Sequence, residues 1–92
     1  MSMEDREALE AEIETVLLEQ WDPLGKGREP ERFSGYREYA HEIFNLLARG
    51  GSDVQITRRL HMAEATELNH PELVERDIST VVRALRQIEA KI

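Results

Sequence analysis

Between Tyr36 and Leu47 the apolar residues Tyr36, Tyr39, Ala40, Ile43, Phe44, Leu46 and Leu47 recur at intervals of three and four. That spacing is one face of an α-helix. A stripe this wide must be covered by neighbouring elements, so the segment predicts the central helix of whatever the chain becomes. Residues 35–49 are read as that helix. Ser34 suits its cap, Arg49 suits the negative end of its dipole, and Gly50 suits the left-handed residue that ends it.

The other stripes also have helical period. Leu9, Ile13, Val16 and Leu17 predict a helix over residues 4–20. It stops at "WDPLGKGREPERFSG", where two prolines and three glycines end a helix. Within that stretch Asp22-Pro23-Leu24-Gly25 fits a type I turn. Ser52 followed by Gln55 is a capping-box pattern opening a helix over residues 53–68, with Ile56, Leu60 and Ala63 facing inward. "NHP" then breaks the chain, and Pro71 suits a first helical position. Val74, Ile78, Val81, Leu85, Ile88 and Ile92, widened by Val82, form a bundle seam over residues 71–91. The expected fold is therefore all-α: one domain, residues 1–92, a compact bundle of about four helices with a long loop at 21–34.

Composition narrows the chemistry. The 92 residues hold no cysteine, which excludes disulfides, Cys-ligated metals and thiol nucleophiles. A chain of this size should hide roughly 60–70% of its unfolded surface, enough for one small core. Neither a basic start followed by an apolar run nor a membrane-spanning apolar stretch is present. The expected address is the cytoplasm, with no membrane partner. Net charge is −7, and residues 1–20 hold Glu4, Asp5, Glu7, Glu10, Glu12, Glu14 and Glu19 against Arg6 alone. The early carboxylates suit the positive end of a helix dipole, and the same patch would suit a basic protein partner. Phosphate contacts need clustered Lys and Arg, so nucleic acid is not an expected partner.

The most distinctive run is "LLEQWDPLG". Trp21, the only tryptophan, stands where it can close the open end of a bundle while its indole N–H finds a carbonyl. Leu24 would pin the loop, with Tyr36 or Tyr39 packed nearby. Trp21, Asp22, Pro23, Leu24, Gly25, Tyr36 and Tyr39 are thus a structural anchor in the first instance and a partner-binding surface in the second. A helix ending in Trp-Asp-Pro-Leu-Gly, then "YREYAHEIFNLLARG", then "DVQITRRL", resembles a group of small uncharacterised bacterial all-α proteins over about residues 13–60. That group has no assigned activity, so the resemblance implies an all-helical bacterial domain and no catalytic residue.

Residues 46–70, "LLARGGSDVQITRRLHMAEATELNH", also resemble a response-regulator type of helix-turn-helix. On that alignment Ile56, Thr57 and Leu60 sit on a first helix, Met62 in the turn, and residues 63–70 on a DNA-reading helix. Against it, His61 stands where that family has a small residue, and Glu67 where it has a buried aliphatic one. The reading segment has Glu64 and Glu67, no Lys or Arg, and ends at Pro71, so a DNA groove would repel it. A single bundle helix, with Glu67 reaching water from its last turn, fits better.

Other sites are weaker. Glu38 and His41 make one Glu-x-x-His pair where a di-iron bundle needs two and further carboxylates. "GKG" at 25–27 lacks the rest of a phosphate-binding frame. No catalytic residue, metal or cofactor is expected. The expected function is a protein-protein interaction module without catalytic activity, in one version an acidic immunity or antitoxin-like protein meeting a basic partner. It would be a monomer, or a homodimer through helix four. The alternative is a helix-turn-helix DNA-binding regulator using residues 52–70.

Overall fold

The structure is a computed structural model that describes residues 2–25 and 35–92. It is an all-α bundle of four helices with no strand among the described residues. α1 spans Met3–Val16, capped by Ser2, whose hydroxyl accepts the Asp5 N–H. It continues without a break into a π-helical turn, Leu17–Trp21. α2 spans Arg37–Ala48 and α3 spans Asp53–Met62, the latter running on into a second π-helical turn, Ala63–Glu67. A 3-10 helix, Pro71–Glu75, precedes α4, Ser79–Glu89.

All seven apolar residues of the central stripe are buried. α2 lies against α1, α3 and α4, which is why so wide a stripe is tolerated. Ser34, the expected cap, lies outside the described residues, as does "GKG" from residue 26 onward. The end of α2 follows the expectation closely. Gly50 takes φ +77, and the Gly50 and Gly51 N–H groups donate to the Leu47 and Leu46 carbonyls at 3.1 and 2.7 Å. Those two bonds satisfy carbonyls that a helix end leaves open.

α3 starts one residue later on the expected capping box. The Ser52 hydroxyl accepts the Gln55 N–H at 3.1 Å, and the Gln55 side chain accepts the Ser52 N–H at 2.7 Å. Ser52→Ala should cost about 1 kcal/mol, read as a lower urea midpoint at unchanged slope. Arg86 of α4 closes the same corner, donating to Asp53 Oδ1 at 2.6 Å and to the Gly51 carbonyl.

The single bundle helix expected over residues 53–68 is formed as residues 53–67, and the helix-turn-helix alternative is not. Met62 and Ala63 both have helical backbone (φ −62, ψ −42 and φ −60, ψ −44), so the turn that a helix-turn-helix needs at Met62 is not formed. Residues 53–67 run as one helix because nothing at 61–63 breaks its hydrogen bonds. One expectation is corrected: helix four begins at Ser79, not at residue 71. Arg76 is extended (φ −73, ψ 136), and Asp77 Oδ1 accepts the Ser79 N–H at 2.9 Å, so the first helical segment is a separate 3-10 turn. The buried seam is then Ile78, Val81, Val82, Leu85 and Ile88, while Val74 and Ile92 are 38% and 39% exposed. This seam is buried inside the domain.

Glu67 reaches water as expected of a single helix, and the unforeseen carboxylate in the core is Glu64. Glu64 is fully buried and Glu67 is exposed. A π turn, closed by i→i+5 bonds such as Leu68 N–H to the Ala63 carbonyl at 2.8 Å, advances less per residue than an α turn. Glu67 therefore stops short of the inward direction, and Leu68 packs against the core in its place.

Candidate functional site: the Trp-Asp-Pro corner and its buried carboxylate

The π turn at the end of α1 decides where the corner points. The Asp22 N–H donates to the Leu17 carbonyl at 2.7 Å, and Asp22 takes the left-handed conformation (φ 36, ψ 58). Asp is among the few non-glycine residues that tolerate it. The chain then reverses through Asp22-Pro23-Leu24-Gly25, with the Gly25 N–H on the Asp22 carbonyl at 3.1 Å. This is the expected bond between the first and fourth turn residues.

With the backbone so placed, Trp21 enters the core and is 1% exposed. Its ring sits 5.4 Å from Tyr36, tilted, and 5.7 Å from Tyr39, edge to face. Both tyrosines pack on it, where the sequence suggested one. The indole N–H does not find a carbonyl. It donates to Glu64 Oε2 at 2.9 Å, and that carboxylate also meets His61 Nδ1 at 2.6 Å and Arg76 Nη2 at 3.3 Å. Arg76 Nη2 further donates to the Trp21 carbonyl at 2.9 Å. A carboxylate taken out of water needs such company, since an uncompensated buried charge costs several kcal/mol.

The tyrosine hydroxyls finish the corner. Tyr36 Oη donates to Asp22 Oδ1 at 2.9 Å and accepts the Leu24 N–H at 3.0 Å, tying the turn to the first residue before α2. Tyr39 Oη donates to Glu67 Oε2 at 2.7 Å, and Glu67 pairs with Arg59, which also pairs with Glu42 at 2.6 Å. Burial above all pushes both phenols up, Tyr39 to about 12 with help from its bond to Glu67, and Tyr36 further, where the Leu24 N–H opposes the rise and the bond to Asp22 adds to it. The Arg59 guanidinium holds Glu42 below the usual carboxylate range.

The raised phenols have a consequence at high pH. Unfolded tyrosine ionises near 10, so above that value the unfolded chain loses protons that the folded one keeps. Stability contributed by Tyr39 is complete below about pH 10 and is lost as pH rises toward 12. Alkaline titration should show phenolate absorbance from the two tyrosines rising together with loss of helix. A phenolate signal that saturates while the helix signal is intact would contradict this.

Of the seven residues singled out in the sequence, Trp21, Tyr36 and Tyr39 are buried, Asp22, Pro23 and Leu24 are half-buried, and Gly25 is exposed. The corner brings Trp21, Asp22, Leu24, Gly25, Tyr36 and Tyr39 together through these contacts, with Pro23 inside the turn. Glu64, His61 and Arg76 complete it and were not singled out. The Glu38–His41 pair does not assemble a metal site: Glu38 is exposed, His41 Nδ1 lies 2.7 Å from Glu10 Oε1, and no group of three or more candidate ligands occurs among the described residues. Among the described residues no helix is long and apolar enough to cross a membrane. Compared with known protein families, curated proteins and solved structures, the chain matches none.

Proposed function

We propose that this chain is a small cytoplasmic protein-protein interaction module without catalytic activity, whose acidic α1 meets a basic partner. The observation supporting this reading is the outer face of α1. Ala8, Ala11 and Thr15 are exposed along it, small enough for a partner backbone to come close. Carboxylates flank them on both sides. Glu10, Glu12 and Glu14 are held by Arg6 and His41, Lys91, and Arg37 respectively. Glu4, Asp5, Glu7 and Glu19 make no ion pair among the described residues. Their field is therefore directed at solvent, where it would speed encounter with a cationic surface at low salt. An immunity or antitoxin-like role is the concrete version of this reading.

The test is recovery of a partner from the native host at low and high salt, with wild type and with Glu4→Gln, Glu7→Gln and Glu19→Gln combined. A basic partner should be recovered, its association rate falling about tenfold in the variant. Recovery that ignores both salt and the substitutions would refute the reading. The DNA-binding alternative finds no observation in its favour, since residues 53–67 form one helix and Glu64 is turned into the core.

A further inference from the structure

On the side of α2 facing α3 an open groove of about 370 Å³ is lined by Leu46 and Met62, by Arg49, Arg58 and Arg59, and by Glu42, whose charge Arg59 meets at 2.6 Å. Its charge is opposite to that of α1. The described arginines and Lys91 are mostly consumed in ion pairs: Arg6, Arg37, Arg59, Arg76, Arg86 and Lys91 each hold a carboxylate. Among the described residues, Arg49, Arg58 and Arg83 are in no ion pair, and two of these three border this one groove. Arg59 also borders the groove, with its charge met by Glu42 and Glu67. The floor is apolar and partly open, with Met62 51% exposed, and Val54, 60% exposed, lies two turns before Met62 on α3. A methionine is an adaptable contact for a side chain of unspecified shape.

We propose that this groove binds an acidic peptide segment of a partner protein, seating an apolar side chain over Leu46 and Met62 with flanking carboxylates at Arg49 and Arg58. Charge complementarity selects the occupant. Two guanidiniums without internal carboxylates, beside an apolar floor, suit a carboxylate and a hydrophobic group on one ligand, and arginine takes a carboxylate through two parallel hydrogen bonds. The groove is separate from the outer face of α1, so this inference stands or falls apart from the proposed function.

The experiment is selection of random short peptides displayed on phage against the full chain, with binding of the enriched peptides then measured by fluorescence polarisation. Arg58→Glu, Arg49→Gln and Met62→Ala are the variants. Arg49 is changed to Gln because a carboxylate at the end of α2 would oppose the helix dipole. None of the three breaks an ion pair of the described residues, and unchanged helix content and melting serve as the check. Enriched peptides should combine Asp or Glu with a large apolar residue, and each variant should weaken them about tenfold, the loss typical of an interface anchor. No enrichment, peptides without acidic residues, or equal binding to the variants would overturn the proposal. Sedimentation of the full chain is run alongside: salt-sensitive self-association abolished by Arg58→Glu would place a second copy in the groove and overturn the assignment to a partner.

Discussion

Alanine in place of Trp21 is expected to remove about 4 kcal/mol of stability, the size usual for deleting a buried aromatic ring. Domains of this size are stable by about 5–15 kcal/mol, so the loss takes a large share of the total and should lower the urea midpoint strongly. The loss has two sources. The ring leaves a void between Tyr36 and Tyr39, and Glu64 Oε2 loses its indole donor. Trp21→Phe separates them, because it keeps most of the packing and removes only the N–H. That variant should lose about 1–2 kcal/mol. Since Trp21 is the only tryptophan and is 1% exposed, its emission in the wild type should be blue-shifted and should move red on unfolding, giving a direct readout in urea. A Trp21→Ala chain that melts like wild type would show that the corner is not held by this ring.

The second large effect is expected at Glu64. Glu64→Ala should cost about 3 kcal/mol, the low end for breaking a buried pair, because Arg76 and His61 are partly exposed and can turn to water. Trp21 cannot, and keeps an unsatisfied N–H in the core. Glu64→Gln should cost about 1–2 kcal/mol, since its amide oxygen still accepts from the indole while the charge that Arg76 and His61 meet is gone. A cycle of Trp21→Phe, Glu64→Gln and both together should show coupling of about 0.5–1 kcal/mol or more, as contacting residues do. Strict additivity in urea denaturation would mean that the charge of Glu64 adds nothing to the 2.9 Å bond, which the Gln variant keeps with a neutral acceptor.

Much of this architecture is legible in the residues themselves. The apolar stripe of α2 is buried at every predicted position because α periodicity runs unbroken from Tyr36 to Leu47. Ser52 with Gln55 and Gly50 act locally, through bonds spanning a few residues, so their types announce their roles. The corner was half legible. Trp21, Pro23 and Gly25 are residue types that punctuate a chain, and Tyr36 and Tyr39 belong to a visible stripe. Their partners are distant, Glu64 lying 43 residues from Trp21 and Arg76 lying 55. The π turns were illegible for a further reason: no residue type marks them. Glu64, four residues after Leu60, falls on the inward face by α spacing, and only its charge kept it out of the predicted core. The break before α4 was hidden likewise, because Val74 continues the seam's arithmetic although the backbone there is a 3-10 turn.

The two widened turns also make chain length a specification. Each is a place where one surplus residue has been absorbed into a coil, and the indole and the carboxylate that meet at the centre sit one on each. Excising a single residue from either segment would let the coil relax to its slimmer form and swing its half of the pair aside, stranding the other half. Counting along the strand from Ile13 to Asp22, or from Leu60 to Asn69, is thus as binding on any working variant as the identity of its side chains.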